Sequence, residues 1–422
     1  MRKIFLFFLL ILFNGFIFAQ TGQPTPNEDL IGRDNLTSNP ITTAVPFLLI
    51  APESRGGGMG DAGVATSPDA NSMHYNPAKY AFIDKELGVA ISYSPWLRAL
   101  VPDINLAYVT GYKRIDKAQV VAGSLRYFSL GSITFTNEYA QTIKDFNPNE
   151  FAIDGTYARL FSQNISGAVS LRYIYSNLAG GITVGGAESH PGHSIATDVS
   201  FFYTKDIEVQ KKKSKISIGA NASNIGAKIS YTENADKDFI PINLKLGTAF
   251  YSELDDYNTI MLTLECNKLM VPTPPIYAVD SLGKPILDSQ GHQEIAFGGD
   301  PEVSVPVGMF RSFWDAPGVY EDGKRNVLKE ELREFTFSYG MEYWYSKQFA
   351  LRVGYFHEDM TKGNRNFFTF GLGLRLNVFG LDFSYLIPAQ MRTNPLANTL
   401  RFTLTFDFAG LKEENKAAPS TN

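Results

Sequence analysis

The chain has 422 residues, a formal net charge of −5 and 13% aromatic residues, and it contains 36 glycines, 32 phenylalanines and 21 tyrosines. The acidic balance gives no indication of nucleic-acid binding, and a single cysteine, Cys266, excludes an internal disulfide framework. Abundant aromatic residues and glycines suit the short strands and aromatic girdles of a membrane barrel.

The beginning of the chain has the pattern of a secretory signal peptide. Basic residues 2–3 precede an apolar run, 4–13, and Ala19 offers a small residue for cleavage. The apolar run is shorter than the roughly 20 residues that a membrane helix requires, so an anchor helix is the less favoured alternative. We expect residues 1–19 to be removed and the mature chain to begin near Gln20.

The stretch that follows does not alternate as strands do. Residues 20–46 are polar and rich in proline, and we expect them to form a periplasmic arm. Residues 47–85 contain the run Arg55-Gly56-Gly57-Gly58-Met59-Gly60, and so many glycines permit tight backbone paths and close approach to other segments. A phosphate-binding loop is the alternative, but its lysine and Ser/Thr are missing and no strand-to-helix unit follows. We therefore expect no cofactor here.

Between residues 86 and 408 the apolar residues recur with period two. Near the C-terminus, Phe368, Phe370 and Leu372 lie on one face of such a segment, with Thr369 and Gly371 on the other. A helix would mix the two sets every three or four residues. We expect the third strand to kink at 129–131. The fourteen predicted strands lie near residues 86–95, 103–113, 118–141, 149–161, 164–178, 194–205, 215–226, 239–252, 258–271, 334–346, 348–358, 366–379, 380–388 and 398–408.

A soluble β-sandwich would also alternate, but the predicted segments are longer than the roughly 5–6 residues typical of soluble strands. Every second connection is also short, as in bacterial outer-membrane barrels with short periplasmic turns and long external loops. The pattern predicts an all-β fold, a transmembrane 14-stranded antiparallel β-barrel, with both barrel ends and the tail, residues 409–422, in the periplasm. Its expected location is the outer membrane of a Gram-negative bacterium, after signal-peptide cleavage.

The longest connection, residues 272–333, is the most informative. Residues 280–283 and 288–291 each begin with Asp and end with Gly, which fits consecutive type I turns of a hairpin. Residues 327–333 are expected to form a short helix. Aromatic residues on an external loop indicate a partner site, although they could instead pack the loop over the barrel mouth. The candidate partner-contact residues are Phe297, Val305, Phe310, Phe313 and Trp314.

The sequence contains no recognisable catalytic arrangement of a nucleophile with a base. His190 and His193 flank a Pro-Gly turn with no carboxylate or cysteine near enough in sequence to complete a metal site, so we expect loop residues and no metal. His74 is expected to hydrogen-bond to the barrel wall. The lysine cluster 211–213 is expected to be a solvated turn, or else a contact for an acidic periplasmic partner. Lumenal carboxylates expected to pair with arginines are Asp154, Asp198, Asp382 and Asp407, and the arginines are Arg172, Arg352, Arg375 and Arg401.

A family resemblance rests on the glycine-rich segment. The residues between the signal peptide and the fourteen strands resemble the N-terminal hatch of the FadL-type outer-membrane proteins. Within that family the chain is most similar to the PorV family of type IX secretion barrels. The features that carry this second likeness are the arm before Arg55, Asn147-Pro148, residues 303–310 and residues 315–318. The resemblance covers essentially the whole mature chain. The hatch motif consists of Arg55, Gly58, Met59, Gly60, Ala62, Asn76, Pro77 and Ala78.

The resemblance implies a lumen closed by the hatch and a non-enzymatic component of the type IX protein secretion system. Such barrels accept the C-terminal domains of secreted cargo from a translocon barrel similar to SprA or Sov. They then pass the cargo to a surface complex with a PorU-like sortase, surrounded by outer-membrane lipid and lipopolysaccharide. The alternative is a FadL-type channel for hydrophobic small molecules. A lipid A-modifying enzyme ranks low, because no residue here supplies its mechanism.

Overall fold

The structure is a computed structural model. It describes residues 38–408 except 98–100, 102, 137–138, 140, 179, 182, 185–186, 233–236, 290, 322 and 390–398. The predicted signal peptide, the first part of the arm and the C-terminal tail lie outside the described residues.

Fourteen strands of the described residues form one closed barrel. Each strand pairs antiparallel with the next along the chain, and the last closes the ring against the first, with Ile91 opposite Leu404. The fourteen-stranded antiparallel prediction is thereby confirmed. The barrel strands are β1 Leu87–Pro95, β2 Asn105–Arg114, β3 Gln119–Ser129, β4 Asn149–Leu160, β5 Ile165–Asn177, β6 Gly192–Val209, β7 Lys212–Gly226, β8 Asn243–Glu253, β9 Asn258–Leu269, β10 Thr336–Tyr345, β11 Phe349–His357, β12 Phe367–Leu376, β13 Phe379–Pro388 and β14 Thr399–Asp407.

The prediction of a single third strand over 118–141 is wrong beyond Ser129. The barrel strand ends there, and Gly131 adopts a φ of 83° that ends the extended path. Residues Ile133–Thr136 then pair with Thr142–Phe146 as a separate hairpin outside the barrel. Because the hairpin also alternates apolar and polar residues, its sequence resembles a continuation of β3. Further two-stranded pieces outside the barrel are Thr183–Val184 with Ala187–Glu188, Ile276–Tyr277 with Ile295–Phe297, and Val319–Glu321 with Lys324–Asn326.

Successive side chains of the barrel strands point alternately outward and inward. On β4, Ile153 is 51% exposed while its neighbour Asp154 is 6% exposed, and β5 repeats the pattern with Leu171 outside and Arg172 inside. Apolar residues cover the exterior and polar residues line the interior, which is the arrangement of a barrel surrounded by lipid. A closed barrel also satisfies every strand hydrogen bond within hydrocarbon. The chain is thus an outer-membrane β-barrel.

The connections alternate between short and long, which defines two ends of the barrel. We call the end with connections 115–118, 161–164, 210–211, 254–257, 346–348 and 377–378 the short-turn end. The long-loop end carries connections 96–104, 130–148, 178–191, 227–242, 270–335, 358–366 and 389–398. In the two-residue turn 210–211, Gln210 and Lys211 both have positive φ, 53° and 63°, which is the backbone of a type I′ hairpin. His193 was expected in a loop, but it lies within β6.

The helices are short and lie outside the barrel strands. Two 3-10 helices, Pro46–Leu49 and Pro77–Phe82, and the helices α1 Ser54–Gly57 and α2 Ser72–Tyr75 belong to the segment before β1. The connection between β9 and β10 contains α3 Val305–Arg311 and α4 Val327–Arg333, the second of which matches the predicted helix. None of the helices in the described part of the chain is long and apolar enough to cross a bilayer.

Candidate functional site

The hatch segment, residues 47–85, runs through the interior of the barrel from one end to the other. Just before this segment in the chain, the amide of Asn39 donates to the carbonyl of Thr361 at 2.7 Å, at the long-loop end. At the lower end, Arg114 donates to the carbonyl of Ala81 at 2.9 Å, beside the short turns. Between these ends, α1 packs on β12, β13 and β14, and the second 3-10 helix packs on β3 to β6. Contacts on opposite walls place the segment inside the ring.

The described part of the arm lies at the opposite end from the one we expected. Residues 39–46 were predicted to lie in the periplasm, beside the short turns. In the structure Asn39 contacts Thr361, and the amide of Ala44 donates to the carbonyl of Phe239 at 2.9 Å. Both partners belong to long loops. The chain therefore enters the lumen from the long-loop end.

Arg55 fixes the hatch segment to the barrel wall. Its guanidinium donates to both carboxylate oxygens of Glu342, from Nε at 2.9 Å and from Nη2 at 2.8 Å. Nη1 reaches Asp69 at 2.8 Å, farther along the same segment. The planar donor fork of arginine matches a carboxylate in this way, and lysine does not. Arg55 thus connects two parts of the hatch to β10.

The ion pairs continue around the inner wall. Arg352 donates to Glu342 at 2.7 Å and to Asp382 at 2.8 Å, and Arg375 donates to Asp382 at 2.6 Å. Arg172 bridges Asp154 and Asp198, so the pairing predicted for these lumenal residues is confirmed.

Two of the residues predicted to form lumenal ion pairs have partners outside the predicted set. Asp407 accepts a hydrogen bond from the hydroxyl of Tyr112 at 3.2 Å. Arg401 instead pairs with Asp61 of the hatch at 2.9 Å. The wall residue Glu342 was not among the predicted lumenal residues, although an acidic residue at an inward position of an aromatic-rich strand indicates such a contact.

The Gly58-Met59-Gly60 stretch passes against glycines of the wall. A Cβ on Gly354 would lie 2.1 Å from the amide nitrogen of Gly60, and a Cβ on Gly371 would lie 3.2 Å from the Cα of Gly58. Gly60 also has a φ of 70°, which a side chain would disfavour. Glycine on both sides permits backbone-to-backbone approach. Ala62, a little farther on, is fully buried.

The Asn76-Pro77-Ala78 motif forms a second fixed point. The Asn76 side chain caps the second 3-10 helix by accepting from the amide of Ala78 at 3.1 Å. Its amide group donates to the carbonyls of Val64 and Phe201, each at 2.9 Å, so one side chain joins two hatch segments to β6. Pro77 occupies the first helical turn, where its missing N–H costs nothing.

Glu265 supplies a third attachment, from β9. One of its oxygens accepts from the amides of Gly63 and Val64 at 2.7 and 2.8 Å. Lys79 donates from Nζ to the carbonyl of Gly63 at 2.7 Å. The hatch segment is therefore attached to the wall by backbone and side-chain hydrogen bonds along its length.

A small polar cavity lies beneath Leu48 and Leu49. Its lining includes His74, Arg172 and Lys245. His74 Nδ1 lies 2.6 Å from Nη2 of Arg126, which agrees with the predicted hydrogen bond to the wall. Charged and imidazole groups make this cavity unsuited to an apolar ligand.

The longest loop, residues 270–335, which we call the external loop after its predicted position, lies at the long-loop end of the barrel. Both predicted turns are present, since the amides of Gly283 and Gly291 donate to the carbonyls of Asp280 and Asp288 at 3.0 and 3.2 Å. Both glycines have positive φ. The loop thus has a defined backbone over these residues.

The candidate partner-contact residues divide into two groups. Phe310 and Trp314 are 69% and 62% exposed, and Phe297 and Phe313 are also exposed. Val305 is half-buried and packs against the apolar cluster at the barrel mouth. Phe310 and Trp314 therefore project outward, while Val305 attaches α3 to the barrel. The ring of Phe313 also faces the ammonium of Lys268 at 5.5 Å, and the ring of Phe297 faces the guanidinium of Arg325 at 4.1 Å.

A buried ion cluster holds the loop in place. Lys268, at the end of β9, pairs with Glu334 at 2.5 Å and Glu331 at 3.3 Å. Lys362, from the next long loop, pairs with Glu330 at 2.6 Å and Glu334 at 3.0 Å. These contacts tie α4 and the residue after it to both neighbouring segments. The exposed aromatic side chains thus lie on a supported loop.

Asp315 lies next to this cluster, within the external loop. Its carboxylate accepts from the amide of Thr273 at 3.4 Å, and its carbonyl accepts from the amide of Gly299 at 2.8 Å. Burial, together with the nearby Glu331 and Glu334, raises the pKa of Asp315 to about 7. The carboxyl group of Asp315 is therefore protonated over a pH range in which that of an exposed aspartate is already ionised.

Comparisons with known proteins add the following. The family model of the type IX secretion system protein PorV matches residues 33–276. No curated protein sequence matches the chain. Similar solved structures include the Ralstonia pickettii toluene transporter TbuX, with 8% identity, a TM-score of 0.42 and 84% of this chain and 97% of that chain covered. A Pseudomonas putida toluene transporter, TodX, has 11% identity, a TM-score of 0.42 and coverage of 84% and 95%. A Pseudomonas aeruginosa FadL homologue has 12% identity, a TM-score of 0.41 and coverage of 88% and 100%.

Proposed function

This chain belongs to the PorV family of type IX secretion proteins, and from that premise we propose that it is a non-enzymatic barrel that binds secreted cargo at its external face. Its cargo is the C-terminal domain of a secreted protein leaving the translocon barrel, and its recipient is a surface complex containing a PorU-like sortase. The observation that carries the proposal is the exposed aromatic surface of the external loop, held on a buried ion cluster.

The filled lumen supports a surface role. The hatch segment is attached to the wall through Arg55, Asn76 and Glu265, and we propose that a protein chain passing through the lumen would have to displace these contacts. Transfer of cargo along the outer face requires no such displacement. We propose that residues 47–85 are a closed hatch.

The FadL-type channel is less well supported by the lining of the lumenal cavity. A site for a hydrophobic small molecule is expected to be apolar with few polar groups. The cavity beneath Leu48 instead places Arg172 and Lys245 together. Charged groups at this position favour closure over passage of an apolar compound.

Exposed aromatic side chains suit the recognition of another protein. Aromatic residues dominate the energetics of protein interfaces, and truncating one at a hot spot costs about 2 kcal/mol or more. Phe310 lies in α3 and Trp314 lies three residues after its end, and both side chains are exposed. We propose that they form one contact patch. We propose this patch as the site that meets cargo or the translocon barrel.

The test is affinity capture from detergent-solubilised outer membranes with Phe310→Ser and Trp314→Ser variants. Each should retain the heat-modifiable folded barrel and lose about 30-fold in affinity for cargo or translocon, since about 2 kcal/mol corresponds to that factor. Phe161→Ser is a matched control, because Phe161 is equally exposed, at 69%, but lies at a short turn. Capture that is equal for all three variants would show that the external loop is not the contact surface.

A further inference from the structure

Two buried cations of the barrel wall lack an anionic partner. The side chains of Arg126 on β3 and Lys245 on β8 are only 3% and 7% exposed. Arg126 donates to the carbonyl of Leu48 at 2.7 Å and contacts His74, and the Lys245 ammonium faces the ring of Tyr75 at 5.1 Å. Among the described residues, neither cation forms an ion pair, and Lys245 donates no hydrogen bond. An unpaired buried charge is unfavourable, so a counter-ion is expected beside them.

The small cavity beneath Leu48 lies against both cations. Lys245 and His74 line it, and Arg126 contacts His74 from the wall, with Nη2 2.6 Å from the Nδ1 of the imidazole. Because a guanidinium can only donate, Nδ1 accepts, and the ring proton of His74 is on Nε2, which is then a donor. The side chains that line the cavity thus include an ammonium and an imidazole N–H, and both are groups that bind anions.

The carboxylates nearest to the cavity have other partners. Asp154 and Asp198 are both bound by Arg172, which also lines the cavity. Glu265 lies on the neighbouring strand, opposite the residue two positions after Lys245, and one of its oxygens accepts from two amides of the hatch. Its other oxygen has no hydrogen-bond partner, and no ion pair joins it to Lys245 within the part of the chain that the structure describes. The positive charge of Lys245 is therefore not balanced by a direct contact.

We infer that this cavity is a binding site for a small inorganic anion of the size of chloride. Its enclosed space is close to that of a single water-sized sphere, which excludes phosphate, organic acids and lipids. A water molecule also fits, but it has no charge to balance that of Lys245. The anion joins Lys245 of the wall to His74 of the hatch, so its binding stabilises the hatch in this position. The site follows from these contacts and does not depend on the proposed role in cargo transfer.

Bromide tests the site, because it can replace chloride and has an anomalous X-ray signal. The full chain is crystallised from detergent in sodium bromide, and diffraction data are collected at the bromine absorption edge. The expected result is an anomalous peak inside the cavity, in contact with Lys245 Nζ. The peak should be absent in Lys245→Met. It should remain in the matched control Lys228→Met, whose ammonium faces the ring of Phe239 at 4.2 Å and does not line the cavity.

Hydrogen exchange in solution tests whether the anion stabilises the hatch. Peptides covering residues 47–51 and 72–76 are followed in sodium chloride and in sodium gluconate of equal ionic strength, since gluconate is too large for the cavity. Exchange in the unmodified protein should slow in chloride by a factor of one plus the ratio of chloride concentration to Kd, which is about 11-fold at ten times the Kd. Lys245→Met should exchange equally in the two salts.

Other results would overturn the inference. A cavity without a bromide peak, whether it holds water or the Lys245 ammonium has moved onto Glu265, would show that no anion binds there. A peak that persists in Lys245→Met would be an adventitious ion only. A bromide peak together with equal exchange of the unmodified protein in the two salts would show binding at crystal concentration only. Both measurements on the unmodified protein remain decisive if Lys245→Met does not fold.

Discussion

Replacement of Arg55 by methionine should open the hatch without unfolding the barrel. The substitution removes the paired hydrogen bonds to Glu342 and the contact with Asp69, all of them at 2.8–2.9 Å. Removal of one partner from a buried ion pair costs about 3–5 kcal/mol. Because Glu342 keeps Arg352 at 2.7 Å, we expect the lower end, about 3 kcal/mol.

A loss of about 3 kcal/mol corresponds to an increase of about 150-fold in the equilibrium constant for hatch opening. Hydrogen exchange of peptides covering residues 53–66 measures this constant directly, since amides of a locally opening unit exchange in proportion to its population. Peptides from the barrel strands should exchange as in the unmodified protein. An Arg55→Lys variant retains the charge but not the donor fork, so its exchange should fall between the two.

The control is Lys215→Met, because the Lys215–Asp206 pair lies on the surface at 3.4 Å and such pairs contribute little. Exchange of residues 53–66 that is the same in Arg55→Met as in this control would refute the view that Arg55 anchors the hatch. Faster exchange throughout the barrel strands would show instead that Arg55 stabilises the whole fold.

The other predictions concern backbone packing and pH. Gly354→Ala should destabilise the hatch by about 1–3 kcal/mol, because its Cβ would meet backbone atoms at 2.1 Å, and should therefore lower the thermal unfolding midpoint. Gly155→Ala is the control and should leave that midpoint unchanged, because the space around its Cβ is open. For Asp315, the folded pKa of about 7 is above the ordinary value, so the native loop holds an extra proton between about pH 4 and 7 and its stability falls as pH rises through that range. Asp315→Asn should remove that part of the pH dependence, measured by proteolysis of the external loop at pH 5 and pH 8, and an unchanged difference between the two pH values would contradict the assignment to Asp315.

The barrel could be predicted because the surroundings of its strands determine the order of apolar and polar residues in the sequence. Lipid outside and a polar interior require period-two alternation, as at Ile153 and Asp154, and the strand count follows from it. The third strand was misjudged because a hairpin outside the barrel alternates in the same way. The barrel strand ends at Ser129, and the positive φ of Gly131, which the sequence does not specify, marks the change of direction between the two.

The end of the barrel at which the arm lies was predicted wrongly for a different reason. An even number of strands places both ends of the barrel at the short turns, but it says nothing about a segment that first crosses the lumen. The hatch motif indicated close backbone approach, and Gly58 and Gly60 show it. Its wall partners, Glu342 and Glu265, could not be assigned, because pairing across about 200 to 290 residues depends on the closed ring.

The contacts of the hatch with the last strand also constrain the order of events during folding. The amide of Ser54 donates to Thr403, 349 residues later, and Asp61 pairs with Arg401, 340 residues later. Folding slows when native contacts join residues distant in sequence. Residues near the start of the chain therefore wait for residues near its end. A chain truncated before β14 lacks both these partners and the seam with β1, so completion of the hatch and closure of the ring depend on the same strand.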